Sequence, residues 1–373
     1  MSKLLILNSL EVRQFRVFRH LRVERLGRVN LIVGKNGVGK TALLEALRLY
    51  VSQVSPELPW ELLYVRDEGF NPRYIDRDRE DDFIWNIRYL FHGRGDIREV
   101  PASIQIGPIN SSGDKLSIEI KWSPRRKNDK ASIAVPDEGE KIVAGGQFPY
   151  LCIQRGVEGK EVERVYNLSE AFMRFGKPWI PETKTGSYIF ISAGGLNAGQ
   201  ISQLWDNIAL TNLEADILAA LQIIAPEIER LNLIGSPERD KERIPIVKVA
   251  GLNTPIPLRS LGEGMARMFG IALALVNSKD GMLLIDEVES GLHYSVQPDL
   301  WRLIFQIAHR LDIQVFATTH SWDCVEAFQQ ASQENEASEG VLINLRRKKD
   351  DILAAILDER KLGIATREQI EVR

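Results

Sequence analysis

Residues Gly34-Lys35-Asn36-Gly37-Val38-Gly39-Lys40-Thr41 have the types and spacing to grip a polyphosphate. They match G-x-x-x-x-G-K-[ST] in full. Glycines let the backbone turn so that several N–H groups point inward at phosphate oxygens. The helix that follows adds partial positive charge at its N-terminus. Lys40 is placed to reach the β- and γ-phosphates, and the Thr41 hydroxyl to bind Mg²⁺. The candidate nucleotide contacts here are Gly34, Asn36, Gly37, Val38, Gly39, Lys40, Thr41 and Ala42. The competing reading is a chance glycine-rich turn, which the flanking strand and helix argue against.

Three further segments could work with that loop. Met282-Leu283-Leu284-Ile285-Asp286-Glu287 is an apolar strand ending in two acids, a Walker B form. Asp286 would hold Mg²⁺ through water, and Glu287 would act as general base. Alone, this is equally a strand running into a solvated turn. Ile313 to Thr318 is a second buried strand, and it ends in Thr-Thr-His. His320 is expected to contact the γ-phosphate or its water, though a lone histidine is more often structural or merely exposed. Ser260-Leu261-Gly262-Glu263-Gly264-Met265 puts small residues at the opening of a helix, a second anion site through Ser260, Gly262 and Gly264. An ordinary N-cap at Ser260 competes with that reading.

The elements that must position these residues can be read from periodicity. Residues 9–33 read as strands, with Val29 to Val33 compact and buried, and Thr41 to Val51 as a helix. Residues 53–80 look irregular, Asp82 to Phe91 a short helix, and residues 102–166 a run of strands that includes Leu116 to Trp122 and Ala131 to Val135. Gly199 to Ala225 shifts to helical spacing and stops before Pro226. Residues 228–258 return to strands, and helices are expected over Gly264 to Val276, Pro298 to Leu311 and Trp322 to Gln330. Strands alternating with helices predict an α/β fold with a largely parallel sheet. The expected organisation is a single 1–373 domain. Its nucleotide-binding core spans 1–52 and 226–373, with a β-rich insert over 53–196 and a helical lobe over 197–225.

Bulk properties narrow the function classes. The 373 residues are 44% hydrophobic and 27% charged, ordinary for a globular protein. The 48 basic and 51 acidic side chains give a net charge of −3, so no overall basic excess argues for nucleic acid. Local basic clusters remain at Arg125-Arg126-Lys127 and Arg346-Arg347-Lys348-Lys349. An arginine recurs every third residue from Arg13 to Arg28, and most of these are expected in solvent. Cys152 and Cys324 have no CxxC spacing, so neither a disulfide scaffold nor structural zinc is expected. With no long apolar run, no membrane partner is expected and the setting reads as cytoplasmic.

Together and in this order, the four motifs resemble the ABC-type ATPase head of RecF, SMC proteins and the OLD-like bacterial ATPases, a P-loop NTPase fold with mixed and parallel sheet. Leu261-Gly262-Glu263-Gly264-Met265 resembles a divergent ABC signature, and Ser290-Gly291-Leu292-His293 resembles the D-loop. Leu10 to Phe18 resembles the first strands of such heads. The resemblance implies an ATPase using ATP and Mg²⁺. It also implies an antiparallel homodimer in which Lys40 of one copy and Ser260–Gly264 of the other enclose each nucleotide. Hydrolysis would loosen that dimer, a switch that relatives couple to nucleic acid. The alternative is a regulatory ATPase subunit that holds or releases a separate effector, a nuclease or toxin of a bacterial defence system. Too few residues follow His320 for the Toprim nuclease domain of OLD proteins. The Q-loop glutamine stays open between Gln105 and Gln154.

Overall fold

The computed structural model describes residues 5–52, 55, 57–68, 85–95, 103–111, 113–124, 147–157, 160–167, 188–235, 242–334 and 340–357. The chain opens with strands β1 (Leu10–Phe15), β2 (Phe18–Val23) and β3 (Val29–Val33) and helices α1 (Lys40–Val51) and α2 (Leu58–Tyr64). Strands β4 (Ile104–Gly107), β5 (Leu116–Pro124), β6 (Gln147–Val157), β7 (Lys160–Asn167) and β8 (Tyr188–Ile191) follow. Helices α3 (Ala198–Ile208) and α4 (Leu213–Gln222) lead to β9 (Ile228–Gly235), β10 (Arg243–Val249) and β11 (Ile256–Pro257). The last stretch is α5 (Glu263–Asn277), β12 (Met282–Ile285), α6 (Gln297–Arg310), β13 (Gln314–Thr318), α7 (Trp322–Glu334), β14 (Gly340–Lys348) and β15 (Asp351–Leu357).

The described strands form three sheets. One has the order β15-β14-β3-β13-β12-β8, and only its β14–β15 pairing is antiparallel. Its inner strands β3, β12 and β13 are buried at every position, as a parallel sheet covered on both faces requires. Side-chain alternation divides the core in two. Leu31, Leu283, Ile285, Val315 and Ala317 face α5, α6 and α7 with the α3–α4 lobe. Ile32, Met282, Leu284 and Phe316 face α1 and the antiparallel sheet. That second sheet runs β2-β1-β4-β5-β6-β7. The third, β11-β10-β9, stands beside the lobe.

Several expectations change in detail. The strands after residue 102 do not stand alone, because β4 pairs with β1 and extends the N-terminal hairpin. Tyr188–Ile191, read as the end of the insert, is an edge strand of the parallel sheet, with Met282 opposite Tyr188. Residues 58–64 form α2, with Pro59 in its first turn, inside a stretch read as irregular. The helix expected from Asp82 is a 3₁₀ turn over Trp85–Leu90 in its described part. Ala131 to Val135 and Arg125–Lys127 lie outside the described residues. The β14–β15 hairpin was not anticipated, yet Gly340–Lys348 lies directly against β3. Two arginines of the threefold series are buried. Arg16 pairs with Glu45 at 2.5 Å and Glu68 at 2.6 Å, and Arg28 lies 3.5 Å from Asp312.

Candidate functional site

The glycine-rich loop leaves buried β3 and turns through left-handed backbone at Gly34 (φ 145°), Gly37 (73°) and Gly39 (107°). Close approach enforces two of these glycines. A Cβ on Gly34 would lie 2.5 Å from the Leu345 carbonyl oxygen, and one on Gly39 2.6 Å from the Val17 side chain. Lys40 curls back, its Nζ donating to the carbonyls of Gly34 (2.6 Å) and Lys35 (3.2 Å). Burial pushes its pKa below the ordinary ammonium range, against the pull of Asp286, Glu287 and Glu289. α1 starts with no side-chain cap and no acid in its first turn. Its first helical acceptor, the Gly39 carbonyl, serves Leu43. The amides of Lys40, Thr41 and Ala42 are therefore left for an anion. Val38 and Ala42 bury their side chains and offer backbone only, whereas Asn36 is exposed.

The acids arrive at the ends of adjacent strands. Asp286 follows β12, and the Thr41 hydroxyl donates to its Oδ2 at 3.1 Å. Thr318, ending β13, donates to Asp286 Oδ1 at 2.6 Å and accepts the Glu287 amide at 2.8 Å. Glu287 is itself left-handed (φ 49°), a strained setting for a glutamate, and its carboxylate is 43% exposed. His320 Nε2 lies 3.7 Å from Glu287 Oε1. Among the described residues no group of three His, Cys, Asp or Glu side chains could hold a metal. The oxygen-only pair Thr41–Asp286 instead fits Mg²⁺ that also binds phosphate oxygens.

Comparisons with known proteins bear on the fold that carries this site. A family model described as "AAA domain, putative AbiEii toxin, Type IV TA system" matches residues 221–323, and one described as "AAA domain" matches residues 9–144. The "ATP/GTP phosphatase" of Helicobacter pylori (strain ATCC 700392 / 26695) is 22% identical over 358 residues, 89% of this chain and 90% of its own. The "DNA replication and repair protein RecF" of Thioalkalivibrio sulfidiphilus (strain HL-EbGR7) is 53% identical over 45 residues, 12% of either chain. Among solved structures, the SmcHead bound to the C-winged helix domain of ScpA superposes with a TM-score of 0.50 at 12% identity, covering 95% of this chain and 98% of that one. The Smc head domain with an extended coiled coil, derived from Pyrococcus furiosus, also scores 0.50, at 11% identity over 98% and 99%. The chain matches AAA-domain models over those two spans and has the fold of the SMC heads.

The second glycine-containing loop is arranged differently. Leu258–Leu261 is a 3₁₀ turn, and α5 begins after Gly262 (φ 106°) without a side-chain cap. Ser260 is therefore not the N-cap, and it is exposed along with Gly262 and Glu263. Gly264 packs on the D-loop so tightly that a Cβ would lie 2.7 Å from the Gly291 carbonyl oxygen. The structure thus brings Thr41, Asp286, Glu287 and His320 together around the P-loop. From the other loop, Glu263 and Gly264 instead lie against Gly291, while a Cβ on Gly262 would meet nothing within 4 Å. Gln154 donates to Glu163 within the antiparallel sheet, and Gln105 lies on β4 of that sheet. The connection from β8 to the lobe, residues 192–197, contains neither glutamine.

Three residues escaped the sequence reading. Thr318 was read as the end of a strand rather than as a partner of Asp286. Arg267 on α5 is buried and donates to the carbonyls of Ser192 (2.8 Å), Asp286 (2.8 Å) and Glu287 (2.7 Å), so α5 holds the turn after β12 directly. Its only sequence signal is a lone cation on the apolar face of a helix. Glu289 accepts the His320 amide.

Proposed function

We propose that two copies of the head close around two ATP molecules and hydrolyse them, each site combining the P-loop of one copy with Ser260–Gly264 of the other. The observation that carries this reading is the unequal state of the two loops. The P-loop is backed by Asp286, Thr318, Glu287 and His320 within its own chain, while Ser260, Gly262 and Glu263 stand exposed. A signature loop open at a helix N-terminus suits the phosphates bound by a second copy.

Lys40 exchanges its two carbonyl partners for phosphate oxygens, which are better acceptors for a buried ammonium. Thr41 and Asp286 would hold Mg²⁺, which supplies neutralisation of phosphate charge when bound. Glu287 takes the proton of the attacking water as its oxygen bonds the γ-phosphorus and the bond to the β-phosphate oxygen breaks. His320, next to Glu287, reads whether the γ-phosphate is present. Loss of that phosphate removes the bridge and the pair reopens. The reading places the head in the cytoplasm, where ATP is held.

The test is turnover and ATP binding of Glu287→Gln. Turnover should fall by about 100-fold or more while ATP binds as before. Unchanged turnover would remove Glu287 from the role of base.

Coupling to a separate effector is the second reading, favoured by the AbiEii description of the family matched over residues 221–323. Affinity purification from the host with and without ATP decides it, since the effector should co-purify in one nucleotide state only. Nucleic acid would instead meet the exposed cations Arg346 to Lys349, at the β14–β15 tip beside the P-loop, where Arg347 reaches the Gly37 carbonyl at 3.4 Å. Binding there would weaken steeply with salt.

A further inference from the structure

We propose that Glu289 is a positioning residue for His320, and that it acts from the loop that touches the signature. The inference rests on the composite-site reading above. A glutamate two residues past Glu287 would ordinarily sit in a solvated turn. Here Oε1 of Glu289 accepts the backbone N–H of His320 at 2.9 Å. Its Oε2 is buried and has no hydrogen-bond partner among the described residues. A carboxylate oxygen held out of water without a hydrogen-bond partner is costly, and a position kept at that cost calls for a role.

The backbone before His320 is already fixed. Thr318 accepts the Val288 amide at 3.0 Å, and Thr319 donates to the Ile32 carbonyl at 3.2 Å. His320 is the first residue past that support, with its ring 40% exposed and its amide tied to Glu289. The other side of Glu289 is anchored to the D-loop, because its carbonyl accepts the Leu292 amide at 2.9 Å. Gly291, between them, makes the tight contact with Gly264 of the signature. A shift of the signature on meeting a second copy's nucleotide therefore moves Gly291, then Glu289, then His320. The loop that reads one ATP sets the histidine at the other.

Steady-state ATP hydrolysis by the full chain tests this. Glu289→Ala should lower kcat by between about 10- and 100-fold, the cost of a slightly misplaced group, and leave KM within about twofold. Glu289→Gln keeps an acceptor oxygen and should retain most of the turnover. Glu289→Asn, too short to reach the amide, replaces the alanine variant if that one does not fold. His320→Ala should lower kcat by itself, and adding Glu289→Ala to it should cost nothing more. Unchanged kcat in Glu289→Ala, a glutamine variant as impaired as the alanine one, or losses that multiply in the double variant would each overturn the inference while leaving the composite site standing. A His320→Ala enzyme with full turnover would overturn the underlying role of His320, and the inference with it.

Discussion

Lys40, in the first glycine-rich loop, is 5% exposed and folded onto that loop's own carbonyls, whereas Ser260, in the second, lies open to solvent. Both loops leave strained glycines at the start of a helix, Gly39 at φ 107° and Gly262 at φ 106°. What differs is the support around them. A side chain on Gly39 would strike Val17 and Phe18, while one on Gly262 meets nothing within 4 Å. A loop walled in by its own chain is a preformed cradle. A loop that shares only the positive φ of its last glycine and has open space in front of it is, on the composite-site proposal, completed by a second copy.

Substitutions can break or sharpen that contrast. Lys40→Ala should have the largest effect, weakening ATP binding by at least about 100-fold in calorimetry, since the proposed charge-assisted contact of this buried ammonium to phosphate would be lost. Arg267→Leu follows. It strips a donor from three carbonyls and should destabilise the fold by about 2–4 kcal/mol in denaturant titration, with turnover falling alongside. Gly264→Ala should cost about 1–3 kcal/mol, because its Cβ would meet backbone, the Gly291 oxygen at 2.7 Å, which cannot swing aside. Gly262→Ala should cost about 1–3 kcal/mol from backbone strain alone, since its Cβ meets no other atom.

The candidate site was legible where it is written in contiguous runs. Gly34–Thr41, Asp286-Glu287 and His320 were read from the sequence, and the structure gathers them at the ends of neighbouring strands. The buried apolar runs at 29–33, 282–285 and 313–318 gave the parallel sheet for the same reason, since each is one complete strand between turns. What stayed hidden depends on partners far along the chain. Arg267 finds its three carbonyls on turns 75, 19 and 20 residues away, and no local pattern encodes that. The placing of β8 beside β12 depends on pairing across about 90 residues. The β14–β15 hairpin was obscured by Arg346 to Lys349, which read as a charge run although Gly340 to Leu345 is entirely buried.

The central claim is that the second loop finishes a site on another copy. Sedimentation of Glu287→Gln, alone and combined with Ser260→Arg, tests it most directly, with ATP bound in both samples. The account predicts a dimer for the single variant and a monomer for the double, because an arginine at 260 stands where the second copy's triphosphate must enter. Dimers in both samples, or monomers in both with ATP in place, would contradict it.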